Sequence, residues 1–133
     1  MLPLDDITVI LADDDEINNY LSVSVMSEFL PAHQVLEFTS PGMAVNEAIK
    51  VCTADPSRRY YFFIDINMPE FNGWEMVRQL KNSPGFDFGK KDRIYILSSS
   101  INPADKTAAL KEKGVTGFLE KPMTIEMIDG LLK

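Results

Sequence analysis

The chain has 133 residues, 45% hydrophobic and 25% charged, enough to bury a core, so a single globular domain over 1–133 is expected. A net charge of −7 and a pI near 4.6 oppose binding of nucleic acid by bulk electrostatics, because phosphates would be repelled. One cysteine, Cys52, excludes an internal disulfide; no basic-then-apolar leader opens the chain and no apolar stretch is long enough for a bilayer, so a soluble cytoplasmic domain is predicted.

Five short apolar runs alternate with longer segments of helical period, the pattern of a parallel α/β fold. The first run, Ile7–Leu11, leads into a helix on which Ile17, Leu21, Val25 and Phe29 recur every four residues, and this stripe is expected to face inward. After the second run, Val35–Phe38, a helix starting past Pro41-Gly42 carries Ala44, Val45, Ala48, Ile49 and Cys52 as its buried side. That makes Cys52 a core residue rather than a reactive thiol. The third run, Tyr60–Ile64, is the strongest, and Gly73-Trp74 opens the helix behind it with Val77 and Leu80 inward. Ile94–Leu97 is followed by Asn102-Pro103, an N-cap and first-turn proline for a helix ending at Gly114. The fifth run, Gly117–Leu119, precedes a short helix capped by Thr124, with Ile125, Ile128 and Leu131 inward. The runs are apolar throughout instead of alternating, as strands covered on both faces should be, and right-handed crossovers then put helices on both sides of one sheet.

The chemistry gathers at the strand ends. Val9–Ala12 gives way to Asp13-Asp14-Asp15, Tyr60–Ile64 runs into Asp65, and Leu119 is soon followed by Lys121-Pro122. Open α/β sheets place their sites at the carboxyl ends of strands. Taken alone, three aspartates are most simply a helix start, with Asp15 as the cap. With Asp65 on a neighbouring strand about 4.8 Å away, the carboxylates crowd. Two unit charges at 4 Å repel by about 4 kcal/mol at an effective dielectric near 20, so a cation, a proton or a lysine must offset them. An oxygen-only set with few protein ligands suits Mg²⁺. Lys121 reaches the same rim, as do the hydroxyls of Ser98, Ser99 and Ser100. His33, the one histidine, follows Pro31 and has no acid/base partner in the pattern; a surface position is expected. No G-x-G-x-x-G follows the first run, and the segment Gly85–Lys91 is too short and lacks the Ser/Thr of a phosphate-binding loop.

In order, these motifs resemble the receiver domain of bacterial response regulators, the phosphoacceptor of two-component signalling. They are Val9–Ala12 with Asp13-Asp14-Asp15, Ile64-Asp65-Ile66-Asn67-Met68-Pro69 with Gly73, Leu97-Ser98-Ser99, and Gly117–Leu119 with Glu120-Lys121-Pro122. The resemblance covers Ile7 to about Leu132. It implies a five-stranded parallel sheet in the order 2-1-3-4-5, the flavodoxin-like receiver fold. It implies that Asp65 is phosphorylated and that Asp14 binds Mg²⁺ directly, Asp13 through water and Asn67 through its backbone carbonyl. Ser98 would donate to a phosphoryl oxygen and Lys121 would pair with the phosphoryl group. Ser99 restores the commonest family spacing to Lys121; Ser98 is preferred because it follows the apolar run directly. Phe118 resembles the aromatic switch residue, and a cis Lys121–Pro122 bond is expected. The implied partners are a sensor histidine kinase or phosphotransfer protein and a downstream target protein, with neither nucleic acid nor membrane insertion. The final helix is short, as expected of a piece cut from a longer chain.

Two rivals share parts of this pattern. A phosphatase of the haloacid-dehalogenase type also uses a strand-tip aspartate, but needs a second aspartate two residues on as general acid, where this chain has Asn67. A non-phosphorylated interaction module on the same fold would not need the acidic set and Lys121. The expectation is therefore a switch and not a turnover enzyme.

Overall fold

A computed structural model describes residues 4–66, 73–88, 90–98 and 103–132, without the side chains of Asp105 and Leu110. Five parallel strands form one sheet: β1 (Ile7–Ala12), β2 (Val35–Phe38), β3 (Arg59–Asp65), β4 (Arg93–Ser98) and β5 (Gly117–Glu120). Their order is β2-β1-β3-β4-β5, as expected. The helices are α1 (Glu16–Met26), α2 (Pro41–Ala54), α3 (Gly73–Lys81), α4 (Pro103–Lys111) and α5 (Ile125–Leu132).

The two-residue period of a strand divides the core into two layers. Ile10, Tyr60, Phe62, Ile64, Ile94 and Ile96 point to one face, where they meet Ala44, Ala48 and Cys52 of α2 and Met76, Val77 and Leu80 of α3. Val9, Leu11, Tyr61, Phe63, Tyr95 and Leu97 point to the other, against Met26 of α1 and Ile128 and Leu132 of α5. Burial on both sides is why these strands read as unbroken apolar runs. Each fully buried large side chain, such as Phe62 or Ile64, contributes about 1.5–3 kcal/mol relative to exposure.

Two local expectations meet a different structure. The inward side of α1 carries Asn19 and Met26, with Val23 packed beside them, whereas Ile17 is 70% exposed and Leu21 47%. Val25 and Phe29 only border the core. Apolar residues occur on both sides of this helix, so spacing alone does not choose the face; the side that meets the sheet does. In α5, Ile128 and Leu132 are buried, Leu131 is half-buried and Ile125 is exposed. Asn102, the expected cap of α4, lies outside the described residues. Thr124 does cap α5, its Oγ1 accepting from the Met127 N–H at 3.1 Å. Cys52 is buried, its Sγ donating to the Gly85 carbonyl at 3.1 Å, and burial pushes its thiol pKa up. His33 is exposed on a short 3-10 turn (Ala32–Gln34).

Candidate functional site

The site is built by register. Ala12 of β1 pairs with Ile64 of β3, so one further step brings Asp13 beside Asp65. Both continue the odd-numbered face of their strands, that of Leu11 and Phe63, and Lys121 continues the same face from Leu119. Three charged side chains thus arrive on one side of the sheet's carboxyl edge. The Lys121 Nζ stands 2.7 Å from Asp13 Oδ2 and 3.3 Å from Asp65 Oδ2. All three side chains are largely buried, with exposures of 12%, 5% and 8% for Lys121, Asp13 and Asp65. Burial pulls the Lys121 pKa down, but the hydrogen bond to Asp13 and the charges of Asp65 and Asp13 outweigh it and hold the ammonium above the ordinary lysine value.

Asp14 differs from its neighbours: it is exposed at the rim. One carboxylate oxygen each from Asp13, Asp14 and Asp65 lie within 4.8 Å of one another. Three carboxylates against one ammonium leave two negative charges over, which a divalent cation would balance. Oxygen-only donors with an exposed side suit Mg²⁺, which keeps several waters. Asp15 takes the bland role: its carboxylate caps α1, accepting from the N–H groups of Ile17 (2.9 Å) and Asn18 (3.4 Å).

Ser98 ends β4 on the even-numbered face, that of Ile94 and Ile96, and is 2% exposed. Its carbonyl accepts the Lys121 N–H at 2.7 Å, which ties the lysine's backbone to the neighbouring strand tip. Half-buried Phe118 lies on that same even-numbered face. The Lys121–Pro122 bond is cis. Asn67, Ser99 and Ser100 lie outside the described residues.

Two contributors have roles that the sequence pattern does not assign: Gly73 enters it only as a helix start and motif residue, and Asn19 not at all. Gly73, at the start of α3, lies so close to β3 that an added Cβ would sit 2.6 Å from the Asp65 carbonyl oxygen and 2.9 Å from Ile66 Cα. Its N–H donates to the Ile66 carbonyl at 3.0 Å. Glycine is needed there because the helix is clamped against the backbone that carries Asp65. Asn19, buried in α1, reaches back to the aspartate loop; a polar residue opposite an apolar stripe gives no sequence signal of this. The segment 85–88 sits at the far end of the sheet, where Phe86 packs edge-on against Tyr60 and Phe62. It covers core and meets no residue of the site.

A doubly wound parallel sheet of this order with an acid–lysine cluster at its carboxyl edge defines a class of flavodoxin-like α/β domains with a polar strand-tip site. The comparisons narrow the class. Residues 9–133 match the response regulator receiver domain family. A two-component response regulator from Cytophaga hutchinsonii is 30% identical, with 94% of this chain and 92% of that one covered and a TM-score of 0.78. A response regulator receiver protein from Dyadobacter fermentans shares the fold at 20% identity and a TM-score of 0.79, covering 96% and 95% of the two chains. A probable cyclic di-GMP phosphodiesterase of Vibrio cholerae is 24% identical over 128 residues; the match takes 96% of this chain but spans 26% of that protein. The chain belongs to the response regulator receiver domain family, a family of phosphoacceptor signalling domains.

Proposed function

We propose that this chain is a phosphoacceptor switch in which Asp65 takes a phosphoryl group from a phosphohistidine of a sensor kinase or phosphotransfer protein. The observation that carries this reading is the single Lys121 ammonium shared between Asp13 and Asp65, with Asp14 exposed beside them. Asp13, Asp14 and Asp65, joined by the Asn67 carbonyl, would hold Mg²⁺, which when bound supplies neutralising charge for phosphate. An Asp65 carboxylate oxygen attacks phosphorus, a P–O bond forms, and the P–N bond to the donor imidazole breaks with its electron pair going to the nitrogen. Lys121 pairs with the charge on the transferred group, so positioning and electrostatics do most of the work.

Readout follows from the two faces of the sheet. The Ser98 hydroxyl is drawn to a phosphoryl oxygen, and Phe118, on the same face, moves into the space vacated. That shift biases the surface of α4 and α5 toward a downstream target protein. On the donor side, exposed Ile17, Tyr20 and Leu21 of α1, the helix that follows Asp14 in the chain, offer apolar area for the incoming protein. Water later cleaves the acyl phosphate and resets Asp65. No described helix is long and apolar enough to cross a membrane.

The test is transfer of labelled phosphate from acetyl phosphate or a phosphohistidine donor in Mg²⁺. The wild type should take up label and Asp65→Asn should take up none. Uptake by Asp65→Asn would overturn the assignment, and catalytic turnover of a phosphomonoester would revive the phosphatase reading.

A further inference from the structure

We infer that Asn19 is a positioning residue for the metal-binding loop, a role that rests on the function proposed above. Asn19 is 3% exposed, the one buried polar side chain on the described inward face of α1. Its Nδ2 donates to the Asp13 carbonyl at 2.9 Å and to the Phe38 carbonyl at 3.1 Å. A carboxamide nitrogen carries two hydrogens, so both are used. The Phe38 carbonyl also accepts the Asp13 N–H at 3.1 Å. Both peptide groups flanking Asp13 are therefore tied, one to the tip of β2 directly and one through Asn19.

The consequence falls on Asp14. The carbonyl that Asn19 holds belongs to the Asp13–Asp14 peptide, and a planar peptide whose oxygen is held also holds the next nitrogen and Cα. On the other side, the Asn19 N–H donates to the Asp15 carbonyl at 3.0 Å, the first rung of α1. Asp14 itself is exposed. Its direction is set on one side by the peptide that the Asn19 side chain holds, and on the other by Asp15, whose N–H donates to Asp13 Oδ1 at 3.0 Å. Groups behind a metal ligand that fix its orientation raise affinity; losing one typically costs about 10–100-fold in metal binding.

The test separates positioning from general stability. Mg²⁺ affinity is measured by calorimetry for the wild type, Asn19→Ala and Val23→Ala, with urea midpoints for each. Val23 packs on the same inward side of the helix but its side chain has no hydrogen-bonding atom to offer the aspartate loop, so Val23→Ala reports what helix destabilisation alone does. Asn19→Ala should bind Mg²⁺ about tenfold more weakly, Val23→Ala within twofold of wild type, and acetyl-phosphate labelling of Asn19→Ala should recover at saturating Mg²⁺. If Asn19→Ala does not fold, Asn19→Ser, too short to bridge both carbonyls, should show the same weakening. Equal Mg²⁺ affinity in wild type and the Asn19 variant, or an equal loss in Val23→Ala, would overturn the inference. A wild type with no Mg²⁺ affinity would overturn the metal reading itself, a distinguishable result.

Discussion

Both ends of the sheet bury a carboxylate against a lysine, yet the two arrangements differ in what they leave over. At the amino end, Asp92 is fully buried and its oxygens accept the N–H groups of Tyr60 (2.9 Å) and Asp87 (2.7 Å), with Lys91 Nζ at 3.0 Å from each. The same ammonium donates to the Arg58 carbonyl at 2.8 Å and lies 5.0 Å from the centre of the Tyr60 ring. One negative charge meets one positive charge and two fixed dipoles; the cluster closes and pins the connection into β4. At the carboxyl end, three carboxylates meet one lysine, one of them exposed. The first is a finished structural joint. The second keeps an excess of negative charge that its lysine does not balance, which is what the proposed cation and phosphoryl site would use.

The sharpest way to break this contrast is to exchange the outcomes of single substitutions. Asp92→Ala should cost about 3 kcal/mol in urea unfolding, because it leaves two N–H groups without their acceptor and the half-buried Lys91 ammonium without its charge partner. Its phosphate uptake, measured under conditions where it is folded, should match the wild type. Asp65→Asn should do the reverse, abolishing uptake while shifting stability by no more than about 1 kcal/mol, since it relieves carboxylate crowding. If Asp92→Ala impaired labelling and Asp65→Asn did not, the two ends would have been misread.

A smaller effect is expected at the seam between helix and site. Gly73→Ala forces a methyl group into the backbone of Asp65, costing about 1–3 kcal/mol and slowing phosphate uptake even where the protein is folded. Stability lost with labelling kinetics unchanged would show that the clamp serves the fold alone.

The smallest effect is in pH, and the two ends should respond at opposite extremes. Lys121 is held above its ordinary 10.5, so its pairing stabilises fully below 10.5 and fades as pH rises through the folded value. At the amino end the Arg59 guanidinium, paired with Asp6 at 2.8 Å, holds that carboxyl below its ordinary 3.8; this contribution is present above 3.8 and fades as pH falls through the folded value. Urea midpoints of Lys121→Met and Asp6→Asn should begin to approach the wild type as pH rises past 10.5 and falls past 3.8 respectively, and meet it only beyond the folded values. Convergence at the wrong extreme would contradict the assignment.

Much of the site was legible because strand-tip chemistry is local. Asp13, Asp65, Ser98 and Lys121 each end or follow an apolar run, and a parallel sheet brings such tips together. Runs without alternation meant strands covered on both faces, and the apolar stripe of α2 gave Cys52 its core role; the sheet order came only with the resemblance to a known family. The direction of α1 was not readable. Ile17, Leu21, Val25 and Phe29 have the spacing of a buried stripe, yet the helix turns Asn19 and Met26 inward and leaves Ile17 in water. Hydrophobic spacing reports which residues share a face, and it does not weigh an amide that binds two carbonyls against a leucine that loses its contacts.

The sequence by itself determined the alternation of strands and helices, and with it which residues stand at the carboxyl ends. That follows from apolar periodicity and the few ways a parallel sheet is wound. Only the tertiary structure decided that Lys121 bridges Asp13 and Asp65, that Gly73 presses on the Asp65 backbone, and that Asn19 steadies the loop bearing Asp14. Each of these joins residues far apart in the chain or across a helix turn. Their distances are set by how helices pack on a twisted sheet, which no local pattern encodes.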